Sequence, residues 1–130
     1  MAANTSPIFE LTPLFDGVTL TDADTTVAKL VATGGTDGTR IDALMCSTDD
    51  TTTVNLKWFI DAGGADLYLG NVNLPIGAGY TTVARVDAIS TLAPTLGYLW
   101  LPPAAELKVG CVATMTAGKI TTVVAMGGDY

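Results

Sequence analysis

Thirteen carboxylates, six cations and no histidine set the chemistry open to this 130-residue chain. Two carboxylates can share acid-base work when their surroundings push their pKa values apart. The candidates are Asp49-Asp50, Asp22 with Asp24, and Asp37. All lie in turns rich in Gly and Thr, where an Asp ordinarily bonds nearby backbone and stays solvated. The same carboxylates could hold Ca²⁺, yet no segment matches a twelve-residue calcium loop closed by Glu. Plain turns are the better reading. A serine nucleophile needs a base. Ser6, Ser47 and Ser90 have no histidine anywhere, and no lysine stands at a motif spacing from them.

Cys46 and Cys111 lie sixty-five positions apart in apolar, strand-like runs. With no His and no C-x-x-C they cannot make the usual tetrahedral zinc site. A disulfide between them cannot be read from sequence. Two buried free thiols, acting as small hydrophobes, are the expectation. The pairs Gly34-Gly35, Gly63-Gly64 and Gly127-Gly128 carry no phosphate-loop Lys-Ser/Thr and read as turns. No catalytic residue, metal ligand or cofactor is therefore expected, and the chain reads as a non-enzyme.

The formal charge is −7. The cations Lys29, Arg40, Lys57, Arg85, Lys108 and Lys119 are scattered. Nucleic-acid binding needs clustered cations that displace counterions, so no such partner is expected. No apolar run reaches the length of a membrane-spanning helix, and no membrane partner is expected. The first residues lack the basic and apolar regions of a signal peptide, which reads as synthesis in the cytoplasm.

The elements that must position any site are strands. The chain holds 21 Thr, many in pairs or triplets, 14 Gly and no Gln. Threonine is stiff at χ1 and suits a pleated surface. Segments 27–33, 40–48, 53–61, 66–72, 80–88, 98–101, 106–115 and 119–126 read as strands separated by turns. Segment 40–48 is apolar on both faces and reads as central. Val54, Leu56, Trp58 and Ile60 share one face, with Trp58 expected in the core. Leu107, Val109, Cys111 and Ala113 are expected to point inward. About eight strands at this spacing predict an all-β chain: a single antiparallel β-sandwich, jelly-roll-like, over 16–130.

Residues 1–15 read as an extended arm. Pro7 and Pro13 forbid a regular helix there and weaken any central-strand reading. Ile8, Phe9, Leu11, Leu14 and Phe15 are too apolar to leave in water, so the arm must dock on this domain or on a neighbour. Trp100 stands just before Pro102-Pro103 and is the aromatic most open to exposure. With the tyrosines it could form a platform for a sugar.

The order of motifs resembles small virion structural proteins of tailed bacteriophages. The resemblance runs through Ala3-Asn4-Thr5-Ser6-Pro7-Ile8-Phe9, Gly38-Thr39-Arg40-Ile41-Asp42, Trp58-Phe59-Ile60-Asp61, Leu101-Pro102 and Leu107-Lys108-Val109. It ends on Ala125-Met126-Gly127-Gly128-Asp129-Tyr130. The chain departs from the pattern at Ala104-Ala105, where a turn containing Gly is more usual. The resemblance implies a particle component without a cofactor. Among particle roles, a capsid decoration or cement protein on the phage head is favoured. Its partners would be the major capsid protein and further copies of itself, a trimer being one arrangement. The residues of interest would be Thr5, Pro7, Ile8, Phe9, Leu11 and Phe15 of the arm, with Asp129 and Tyr130 of the tail. A tail or head-tail connector protein is the first alternative. A carbohydrate-binding adhesion module using Trp100 is the second.

Overall fold

The structure, a computed structural model, describes residues 12–24 and 28–130. Nine strands are found among them: β1 (Thr12–Thr21), β2 (Lys29–Thr33), β3 (Thr39–Thr48), β4 (Val54–Asp61), β5 (Asp66–Leu74), β6 (Val86–Asp87), β7 (Leu99–Leu101), β8 (Glu106–Cys111) and β9 (Ile120–Asp129). One short helix, α1 (Ile89–Leu92), follows β6. All strand pairs are antiparallel.

The strands form two sheets. Sheet A has the order β1-β9-β3-β6, with β7 also pairing β3; sheet B has the order β2-β8-β4-β5. With β7 set aside as an insertion, the pairs β1/β9, β2/β8, β3/β6 and β4/β5 are the rungs of one long antiparallel ribbon. Rolling that ribbon adds the contacts β9/β3 and β8/β4. This is the jelly roll, with eight strands in two packed sheets.

The core lies between the sheets. Leu20, Ile41, Leu44, Val123 and Ala125 from sheet A meet Leu56, Trp58, Leu74, Leu107 and Val109 from sheet B, all essentially free of solvent. Trp58 takes its expected core place. Along β4, Val54, Leu56 and Trp58 alternate inward; a bulge between Trp58 and Phe59, opposite Gly70, then breaks the alternation. Cys46 and Cys111 face inward from opposite sheets as free, buried thiols. Burial pushes the Cys46 thiol up to about 12 and that of Cys111 in the same direction.

Three expectations need correction. The first is the arm boundary. Residues 12–15 belong to β1, which pairs with β9 from Thr12 opposite Asp129 to Thr21 opposite Ile120. Pro13 is tolerated because β1 is an edge strand. The same pairing turns Gly127-Gly128-Asp129 from a tail into strand. The second is segment 80–88, of which only Val86–Asp87 is strand. Gly77 and Gly79 adopt φ of +69° and +81°, and Thr81 folds back so that its N–H and hydroxyl both donate to the Gly77 carbonyl. This stretch crosses from the edge of sheet B to sheet A, and the β-propensity of Thr-Thr-Val finds no strand to pair with. The third is Ala113. Strand β8 stops at Cys111, and Ala113 is exposed in the following loop.

Candidate interaction surface

The carboxylates singled out by sequence are structural fasteners. Asp49 Oδ1 accepts the Ile120 N–H at 2.8 Å. Asp50 is only 1% exposed. Its carboxylate accepts the Thr116 N–H and hydroxyl at 3.0 and 2.6 Å, and the Thr52 N–H and hydroxyl at 3.0 and 3.1 Å. The expectation of a solvated turn Asp fails here. Burial raises its pKa, but the Thr116 and Thr52 donors outweigh that and hold it down at about 2. Asp24 accepts the Thr21 N–H and pairs with Lys29; the Thr21 bond is the main reason its pKa is lowered. A cavity of about 160 Å³ opens beside Asp50, between Thr52 and the 112–115 loop. The Asp50 oxygens are committed to threonine donors.

Four of the residues expected to make contacts, Phe15, Trp100, Asp129 and Tyr130, gather elsewhere, at the end of sheet A where β1 begins and β9 ends. One register row runs Thr12–Asp129–Thr39–Leu101 across four strands. Thr39 is buried, accepts the Gly35 N–H at 2.8 Å and donates its hydroxyl to Asp129. Asp129 thus pins the Gly34–Gly38 loop, and the Tyr130 N–H adds a bond to the Gly38 carbonyl at 3.1 Å.

The next row, Pro13–Gly128–Arg40–Trp100, points to the opposite face of the sheet, away from the core. There the Trp100 and Tyr130 rings lie 5.4 Å apart. The Arg40 guanidinium sits 4.3 Å from the centre of the Tyr98 ring and bonds Asp42 at 2.7 Å. Gly38, at φ +94°, makes room for the indole: a Cβ there would fall 2.1 Å from Trp100 Cη2. Two rows further in, and so on the same face, Phe15 stands opposite Met126, and Met126 opposite Ala43.

Phe15, Trp100 and Tyr130 therefore share one outer face. Phe15 is 76% exposed and Trp100 45%. They flank it across three strand spacings, about 14 Å. Asp129 lies in the adjacent row and supports the loop beneath Trp100. Thr5, Pro7, Ile8, Phe9 and Leu11 lie outside the described residues, and the chain that carries them enters the fold at Thr12, on this same edge.

Sequence reasoning missed Met126, Ala43, Met45, Val124, Arg40 and Tyr98 as members of this surface. A signal was present. Segments 40–48 and 120–126 are apolar on both faces, whereas a half-solvated antiparallel strand alternates apolar with polar. That doubled pattern fits a face that is covered twice, once by the core and once from outside.

Compared with known proteins, the chain matches no family model, no curated protein and no solved structure.

Proposed function

We propose that this protein is a structural component of a tailed-bacteriophage particle, a decoration protein that binds the outer surface of the head and stabilises contacts between major capsid subunits. The observation that carries the reading is the gathering of Phe15, Trp100 and Tyr130 on one apolar outer face, at the edge where the apolar arm joins the fold. A small rigid sandwich with such a face and arm is suited to standing against neighbours in many copies. The motif resemblance supplies the particle context. The jelly roll agrees with it without deciding it, since that fold also serves lectins. In this reading the chain acts without catalysis, metal or cofactor, and its place is the surface of the virion head.

A count of this chain against the major capsid protein in purified virions, by quantitative peptide mass spectrometry, tests the proposal. One copy per capsid subunit, or a simple fraction of that, is expected. A handful of copies per particle would move the chain to the tail or connector, and none at all would overturn the virion reading.

The exposed Trp100 beside Tyr130 and Tyr98 favours one second reading, a carbohydrate-binding module. Calorimetry with cell-wall sugars distinguishes it. Trp100→Ala should then remove binding and leave the fold intact.

A further inference from the structure

We propose that Asp16 is a site of self-modification, where the Gly17 amide closes on the Asp16 carboxyl and the product frees the first part of β1. The chain holds two Asp-Gly pairs, Asp16-Gly17 and Asp37-Gly38. The fold exposes one to this chemistry and protects the other. Three observations single out Asp16.

The first is contact. The Gly17 N–H donates to Asp16 Oδ1 at 2.8 Å, so the nitrogen already touches the carboxyl group. At Asp37 the next amide is turned elsewhere. The Gly38 N–H donates to the Gly35 carbonyl at 3.1 Å, and Gly38 is buried against Trp100.

The second is freedom. Strand β1 is an edge of sheet A, and Asp16 and Gly17 are both exposed. On β9 the Ile120 carbonyl accepts from Asp49 and Thr48, on the β3 side. Val124, four residues on, turns its backbone the same way. Gly17 stands opposite Val124, so its N–H takes no part in the ladder and faces the open edge. Thr19, two residues further along β1, has its carbonyl on that open side, where Lys29 Nζ reaches it at 3.0 Å.

The third is the residue itself. A Cβ at position 17 would fall 2.6 Å from the Val123 carbonyl oxygen. The pairing with β9 thus demands glycine, and a glycine nitrogen is the least hindered nucleophile a following residue offers.

The chemistry balances without an added reagent other than water. The Gly17 nitrogen attacks Cγ of the protonated Asp16 carboxyl. The N–Cγ bond forms, the Cγ–OH bond breaks, and the amide proton leaves with the hydroxyl as water. The resulting succinimide then takes up one water. Attack at Cγ restores aspartate; attack at the main-chain carbonyl gives isoaspartate, whose backbone runs through Cβ and Cγ and is one carbon longer. That extra carbon falls between Phe15 and Gly17, so the two halves of β1 no longer share one register on β9. Leu20 anchors the second half in the core. Residues Thr12–Phe15, exposed but for half-buried Leu14, give way. Phe15 then leaves the face it shares with Trp100 and Tyr130, whatever that face binds.

The test uses the purified full chain, held folded at neutral pH and warm temperature for weeks. Peptide mapping with electron-transfer fragmentation reads isoaspartate against aspartate at both pairs. Asp16 should convert about fivefold faster than Asp37 or more, the factor set by breaking one amide hydrogen bond. In denaturant, where neither pair is held, the two should convert alike. Asp16→Glu, which would have to close a larger ring, should lose the signal at position 16 and keep the β circular-dichroism signal. In the converted fraction, hydrogen exchange should quicken over Thr12–Phe15 and hold in β3. Conversion of Asp37 as fast as Asp16 in the folded chain would overturn the proposal. So would an Asp16 that stays intact, or a converted fraction whose exchange over Thr12–Phe15 is unchanged.

Discussion

The outer faces of the two sheets differ sharply. Sheet B turns Asn55, Lys57, Asn71, Asn73 and Lys108 outward, and Lys108 reaches both Asp61 and Asp66, at 3.4 and 3.2 Å. Its exposed apolar groups are Leu30 and, toward the β4/β5 hairpin, Leu67, Tyr68 and Leu69, with the Phe59 ring 5.9 Å from that of Tyr68. Sheet A turns Phe15, Ala43, Met45, Val124, Met126 and Trp100 outward. Both inner faces are equally apolar, because both build the core. Sheet B has the pattern of a face left in water, and sheet A that of a face another surface covers.

Neighbouring positions on β3 give the sharpest way to break this comparison. Leu44 is fully buried, and Leu44→Ala should cost about 2–5 kcal/mol in urea denaturation through the lost transfer energy and the cavity left behind. Met45 is the next residue and points outward. Met45→Lys should hold stability within about 1 kcal/mol and yet weaken capsid binding, as read by co-sedimentation. If Met45→Lys unfolds the chain as Leu44→Ala does, the outward face of sheet A is part of the core and the comparison fails.

The two ends of sheet A also differ. One carries exposed aromatics; the other is fastened by the buried Asp50. The Asp50 pKa is about 2 in the fold, below its ordinary 3.8. A depressed carboxyl stabilises the fold above its unfolded value and loses that contribution as pH falls through the folded one. Stability should thus drop by at most about 2 kcal/mol between pH 4 and pH 2. Asp24 and Asp61 are lowered as well, chiefly by bonds from Thr21 and from Gly64 and Gly63; both keep some contact with solvent and contribute less than Asp50. Asp50→Asn should flatten the acid limb of the curve. An unchanged acid limb would mean that the Thr116 and Thr52 bonds do not hold the ionised form.

Much of the fold was legible in the residues. Alternation placed β2, β3, β4, β5 and β9 within a few residues of their observed ends, and it put Trp58 and both cysteines inside. Strand β1 was hidden because its evidence is not local. Thr12-Pro13-Leu14-Phe15-Asp16-Gly17 has a proline, a charge and a glycine, and it becomes strand only through ten residues of pairing with β9. Segment 80–88 misled in the opposite sense, with strand-forming residues and no edge to receive them. The contact surface was half legible. Phe15, Trp100 and Tyr130 stood out as apolar groups near proline or chain end, but their meeting on one face depends on the β9/β3/β7 register, which no local pattern encodes.

Ala104, where a Gly turn is more usual, adopts φ of +63°. Pro102 accepts the Ala105 N–H at 3.0 Å, so Pro103 and Ala104 are the central residues of a type II turn, whose second position favours glycine. The left-handed conformation costs an alanine about 1–2 kcal/mol, offset in part by the greater chain entropy of glycine when unfolded. Ala104→Gly should therefore raise stability by up to about 1 kcal/mol. The turn bonds Gly34 on both sides, through Ala105 and Ala104, and so backs the Gly34–Gly38 loop beneath Trp100. A gain in stability with capsid binding unchanged would show that this turn supports the aromatic end without belonging to its contact face.

The smallest effect is expected on sheet B. Lys108→Ala removes two ion pairs from an outer face that stays in water, where added salt already screens such pairs and side-chain entropy opposes them. No resolvable change in thermal midpoint is expected, at low or high salt, and no change in capsid binding. The informative comparison is with Phe15→Asp, which places a new charge on the other outer face at a site more exposed than Lys108. Substitutions at two surface positions, neither touching the core, should then differ in one respect only: capsid binding survives the first and is lost in the second. Equal sensitivity at both positions would mean that binding runs through sheet B as well. The contrast between the faces would then describe composition alone, and not the surface that meets the capsid.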